Sequence, residues 1–128
     1  MCHCVVVFHF CCRERLPLWV LECLGKILHL SVAEFKVGCE LDVATAVTET
    51  FRALRNSCVG QPDIQEAVTE KTIAVDETCN ILKTLSMITS SPHCVTCLRV
   101  GAQFLGNLVV NNKKTQTLIW NKCSEVLV

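Results

Sequence analysis

Two stretches of this 128-residue chain repeat one another at a fixed distance, and that repetition restricts the fold more than any other feature. Laying Leu54-Arg55-Asn56 over Leu105-Gly106-Asn107 also brings Gln65 onto Gln116, Ala67 onto Leu118 and Val68 onto Ile119, all at one offset of 51 residues. In both copies an amphipathic run ends in a polar bend and a second apolar run follows. The first reads FRALRNSCVGQPDIQEAV from Phe51 to Val68, and the second CLRVGAQFLGNLVVNNKKTQTLIWNKCSEVLV from Cys97 to Val128. Within the first, Val47, Phe51, Leu54 and Cys58 fall at i, i+4, i+7 and i+11 and make a single apolar stripe. Helices joined by short turns in a recurring pattern predict an all-α chain of stacked units rather than a compact bundle.

Taken in order, the chain divides into an atypical segment, residues 1–17, outside the repeat fold, and helical repeats over 18–128. Pro17 suits the first turn of a helix from Leu18 to about Phe35, with Leu21, Leu24 and Leu28 inward. Gly38 is the expected break, in the left-handed conformation that closes helices. Asp42 is the expected cap of the next helix, which runs to about Val59. Gly60-Gln61-Pro62-Asp63 is a turn, and Pro62-Asp63 starts a helical region divided near Thr72, with Val68, Val75, Cys79, Leu82 and Leu85 on its inner face. Beyond Ser90-Ser91-Pro92, the expected buried side is Cys94, Cys97, Leu98, Gly101, Leu105 and Leu108. Gly101 and Gly106 each cost about 1 kcal/mol against alanine in a helix, so both predict close approach of a neighbouring helix. Thr115 is the expected cap of the last helix, where Leu118, Ile119, Trp120 and Cys123 are apolar. No segment reads convincingly as a strand, and Val5 to Phe10 comes nearest to one.

Charge narrows the function. Twelve basic residues balance twelve acidic ones and are scattered, so the chain lacks the basic track of a nucleic-acid binder and the field that seeks an anionic membrane. No run is long enough to span a membrane. The eleven cysteines would suggest a disulfide framework in a short secreted chain. Their odd number, the absence of an Asn-X-Ser/Thr site and their apolar helical positions favour free thiols in a reducing compartment instead. Cys2, His3, Cys4, His9, Cys11 and Cys12 offer zinc-type donors, but their spacings do not match the usual two-plus-two patterns. Cys94 and Cys97 form a CxxC, the basis of an alternative function as a thiol oxidoreductase or metal-binding protein. It lacks the βαβ context of the redox motif and a second pair for zinc, so two core cysteines one turn apart are the better reading. No Gly-rich phosphate loop, paired carboxylates or Ser/His/Asp arrangement points to an enzyme, and no cofactor or metal is called for.

FRALRNSCV and GAQFLGNLVVNN resemble the third helix of armadillo repeats, although the offset exceeds the roughly 40–47 residues usual there. TETFRALRNSC at Thr48 to Cys58, and LRVGAQFLGNLVVNNKKTQTLIW at Leu98 to Trp120, are similar to the ataxin-10 family. The resemblance implies an armadillo-like α-solenoid fragment of about two to three helical repeats. It implies a cytoplasmic, non-enzymatic scaffold that binds other proteins, with roles in neuron survival, neurite outgrowth, cytokinesis and signalling linked to protein glycosylation. Full members are several times longer, so a fragment or shortened form is expected, with self-association through exposed repeat ends.

Asn56 and Asn107 occupy the helix position at which nuclear-import adaptors, to which the pattern is also similar, hold the backbone of an extended peptide. A carboxamide suits this because it carries both a donor and an acceptor. Those adaptors place a tryptophan one turn earlier to hold lysine stems. Here Arg52 and Gln103 stand there instead, which removes the aromatic wall and adds positive charge. The competing reading is that the asparagines bond neighbouring helix ends.

Overall fold

The computed structural model describes residues 15–88 and 91–127, with side chains as far as Ser124. The described residues form six helices: α1 (Leu18–Val37), α2 (Leu41–Ser57), α3 (Pro62–Lys71), α4 (Ala74–Ser86), α5 (Pro92–Val109) and α6 (Lys113–Leu127). Among these residues there is no strand, and no helix is long and apolar enough to cross a membrane. The candidate metal ligands at the N-terminus and the Val5 to Phe10 strand lie outside the described residues. Leu16 belongs to the core, and Arg15 pairs with Asp63 at the start of α3.

The sequence offset recurs in the backbone. Leu41 and Pro92 begin α2 and α5, Pro62 and Lys113 begin α3 and α6, and both pairs are 51 residues apart. The bends before α3 and α6 share a conformation as well. Gly60 (φ 65°) and Asn111 (φ 52°), again 51 apart, are both left-handed, a region that glycine and asparagine enter more readily than other residues. Each helix of the first half then packs beside the helix three later: α1 against α4, α2 against α5, α3 against α6.

Local chemistry explains most helix ends and corrects three expectations. Gly38 does close α1, but with φ 161° it is extended, and its N–H reaches Glu34 O at 3.3 Å. Glu40, not Asp42, precedes α2. Asp42 lies in the first turn, where a carboxylate complements the positive helix end. Asn112, not Thr115, caps α6: its Oδ1 accepts the Thr115 N–H at 3.2 Å. Thr115 is buried and turns its hydroxyl back to Leu108 O at 2.5 Å. The joint near Thr72 forms as expected, its hydroxyl donating to Val68 O at 2.6 Å and accepting from Ala74 N–H at 3.2 Å.

A second polar group ties the layers. Buried Gln65 on α3 donates through Nε2 to Asn107 O (2.8 Å) and Val110 O (3.1 Å), and its Oε1 accepts from Asn112 Nδ2 (3.0 Å). It thereby satisfies carbonyls at the end of α5 that the helix itself leaves without partners.

The core contains the whole Val47-Phe51-Leu54-Cys58 stripe, together with Phe35 and Phe104. Phe51 and Phe104 stack with centroids 6.2 Å apart. Gly101 sits against them: a Cβ there would lie 2.9 Å from Phe51 Cε2 and 3.1 Å from Leu82 Cδ2, so glycine is required for the contact. Gly106 is different. A Cβ there would meet nothing within 4 Å, so the expectation of close packing holds for one glycine and fails for the other.

The free-thiol expectation is corrected for four cysteines. Cys39 pairs with Cys94 and Cys79 with Cys123, with Cα atoms 6.4 and 6.3 Å apart, while among the described residues Cys23, Cys58 and Cys97 are free. The pairs are 55 and 44 residues apart in sequence, so only the stacking of α5 and α6 on the earlier helices brings them together.

Candidate protein-binding face

The α2–α5 pair positions the four residues singled out above. Its inner side is fixed by Phe51, Gly101 and Phe104, and the outer side carries two polar rows, Arg52 and Asn56 on α2 and Gln103 and Asn107 on α5. Each row is spaced i, i+4, so its members share a face.

Arg55, to which the sequence pattern assigns no role, joins the rows. Its Nη1 donates to Gln103 Oε1 at 2.6 Å and its Nε to Asn56 Oδ1 at 3.1 Å. Its carbonyl accepts from Asn107 Nδ2 at 3.2 Å. Arg55 and Gln103 are 48 residues apart, and only the side-by-side packing of α2 and α5 reveals the contact. The carboxamides are thus half used, and in opposite senses. Among the described residues, Asn56 spends its oxygen and keeps its NH2, whereas Asn107 spends its NH2 and keeps its oxygen.

Arg52 pairs with Glu49 on the preceding turn. Beside them a cleft of about 160 Å³ is lined by Ala44, Thr45, Thr48, Glu49, Arg52, His93 and Thr96. Arg99 lies further along α5, bonded to Thr96 Oγ1 at 3.5 Å. Among the described residues, three guanidiniums against the carboxylates of Glu49 and of Asp42 at the start of α2 leave this face positive.

The CxxC is not favoured as a functional pair. Cys94 is joined to Cys39, and Cys97 is fully buried, its thiol pushed up to about 11 by burial despite a bond to Thr48. A thiol so raised is not the activated nucleophile that a redox motif requires.

Comparison with known proteins finds relatives that share one name. The chain is 31% identical over 102 residues to ataxin-10 of Xenopus tropicalis, covering 66% of this chain, and 30% identical over 121 residues to human ataxin-10, covering 84%. Bovine ataxin-10 matches at 36% identity over 78 residues. The chain is ataxin-10-like. It spans only 20% of the Xenopus relative and 24% of the human one. No family model and no solved structure matches this ataxin-10-like chain.

Proposed function

We propose that the ataxin-10-like chain is part of an armadillo-like α-solenoid and a non-enzymatic interaction scaffold whose α2–α5 face holds an extended segment of another protein. The observation that carries this reading is the pair of half-used carboxamides. The free donor of Asn56 and the free acceptor of Asn107 lie at equivalent positions of successive units, complementing the C=O and N–H of a peptide backbone. Arg52, Arg55 and Arg99 select an acidic or neutral segment over a basic one, since like charges across an interface are costly. The roles that the family resemblance implies, in neurite outgrowth, cytokinesis and glycosylation-linked signalling, are read as binding roles in the cytoplasm. A second partner is another copy, through the uncovered side of α5.

The experiment is a fluorescence-anisotropy comparison of acidic, neutral and basic extended peptides. Acidic peptides should bind best; Asn56→Ala should weaken binding roughly fivefold, the effect of losing one neutral hydrogen bond of about 1 kcal/mol, and Arg52→Glu roughly tenfold, the effect of losing one charge-assisted bond of about 1.5 kcal/mol. Equal binding of basic peptides, or full binding by both variants, excludes the reading.

A further inference from the structure

We propose that Cys39, His93 and Cys94 form a binding site for a zinc-class divalent cation, open when the two cysteines are reduced. The site adjoins the peptide face, since His93 also lines the cleft beside Arg52, but its ligands take no part in the proposed peptide contacts.

Two segments far apart in sequence build it. Cys39 lies in the three-residue turn between α1 and α2, and His93 and Cys94 lie in the first turn of α5. Their ligand atoms all fall within 4.8 Å of one another, close enough to surround a single ion. Thiolate sulfur and imidazole nitrogen are the donors zinc prefers, and two cysteines with one histidine make a known three-ligand set that leaves a fourth position for water. His93 Nε2 lies 2.8 Å from Cys39 O, which ties the ring to the turn carrying the first sulfur. Cys94 donates its N–H to Ser91 Oγ at 3.4 Å, which fixes it at the N-terminal end of α5, where the helix field favours negative charge such as a thiolate. Cys94 is buried while Cys39 and His93 are half-exposed, so the site has a rigid floor and an open edge.

The other cysteine pair supplies the contrast. Cys79 and Cys123 have no third ligand of this kind in reach among the described residues, so a histidine beside the sulfurs is particular to Cys39 and Cys94. The two states are linked by a balanced exchange. A dithiol or phosphine reductant supplies two electrons to the S–S bond, and two protons from solvent complete the two thiols. The cation then displaces both thiol protons and forms two metal–sulfur bonds and one bond to the imidazole. A reducing cytoplasm supplies the first step.

The test uses the full chain with Cys2, Cys4, Cys11, Cys12 and Cys23 replaced by serine, reduced with a phosphine and titrated with Co2+ and then Zn2+. One Co2+ per chain should bind, with near-ultraviolet sulfur-to-metal charge-transfer bands that Zn2+ abolishes. Cys39→Ser should halve the bands and lower the affinity by more than about tenfold, the least that loss of even an outer-shell partner costs. His93→Gln should lower the affinity while keeping both sulfur ligands. Circular dichroism should show both variants, at half-exposed positions, still helical. A reduced chain that re-forms the disulfide without taking up cobalt overturns the proposal, as do bands unchanged in both variants. Alkylation gives an independent readout: Zn2+ should protect Cys39 and Cys94, and their unchanged labelling would also overturn it.

Discussion

At the scale of single residues, the two glycines of α5 give opposite predictions from the same chemistry. Alanine gains about 1 kcal/mol over glycine in a helix, and nothing opposes that gain at Gly106. At Gly101 the new methyl would meet the Phe51 ring, which is fully buried, stacked on Phe104 and unable to yield. Overpacking of this kind costs roughly 1–3 kcal/mol, which exceeds the helix gain. Gly106→Ala should therefore raise the urea midpoint and Gly101→Ala should lower it. A rise in both would mean that α2 and α5 are less tightly apposed. Buried thiols make a second prediction at this scale. Burial pushes Cys58 up to about 12 and Cys97 to about 11 from an ordinary 9.0. Below pH 9 both states hold the thiol protons and the stabilisation is complete. Above it the unfolded chain releases them first, so stability falls by roughly 1.4 kcal/mol per pH unit per thiol until the folded values are reached. Urea unfolding at pH 8 and pH 10 measures the slope, and Cys58→Ala should flatten it.

At the scale of elements, the Gln65 bridge predicts how the units are held together. Gln65→Ala would leave the part-buried carbonyls of Asn107 and Val110 without this donor, while the Asn112 amide would keep its bond to Pro62 O at 3.4 Å. Each unsatisfied group costs roughly 1–3 kcal/mol, so the variant should lose at least about 2 kcal/mol. Gln116, its counterpart at the 51-residue offset, is exposed and bonds only Val109 O at 2.9 Å, so Gln116→Ala should change stability by less than about 0.5 kcal/mol. Equal losses would remove the bridge from the account. The helices and their repeat were legible because apolar spacing and turn residues are local signals. Val47, Phe51, Leu54 and Cys58 showed their stripe, and Gly60-Gln61-Pro62 showed the turn. Caps were less legible, since Asn112 and Thr115 both suit a cap and only the bonds of Thr115 to the end of α5 decide between them. The cysteine pairs and the role of Arg55 were not legible at all. They depend on side chains 44 to 55 residues apart meeting across stacked helices, and no local pattern encodes that.

For the whole molecule, the repeat predicts association, because a face covered in one unit is bare in the next. On α2, Ala44, Thr48 and Phe51 are buried, and α5 is the helix most extensively packed against α2. Their counterparts on α5 at the same offset are Val95, Arg99 and Ala102, all exposed, with Val95 showing 56% of its surface. Gly106 extends this row, and Val110 at its end is also exposed (55%). Hydrophobic burial of about 25 cal/mol per Å² rewards covering this row. The described chain should therefore self-associate reversibly as its concentration rises, which sedimentation equilibrium would show. Val95→Glu and Val110→Glu should shift it to monomer without lowering its melting temperature, since neither side chain contributes to the core. If both variants sediment as the parent chain does, α5 is not the contact. Arg99 stands in the middle of the row, so the contact should also weaken at low salt, where the guanidiniums of two facing copies repel each other most strongly.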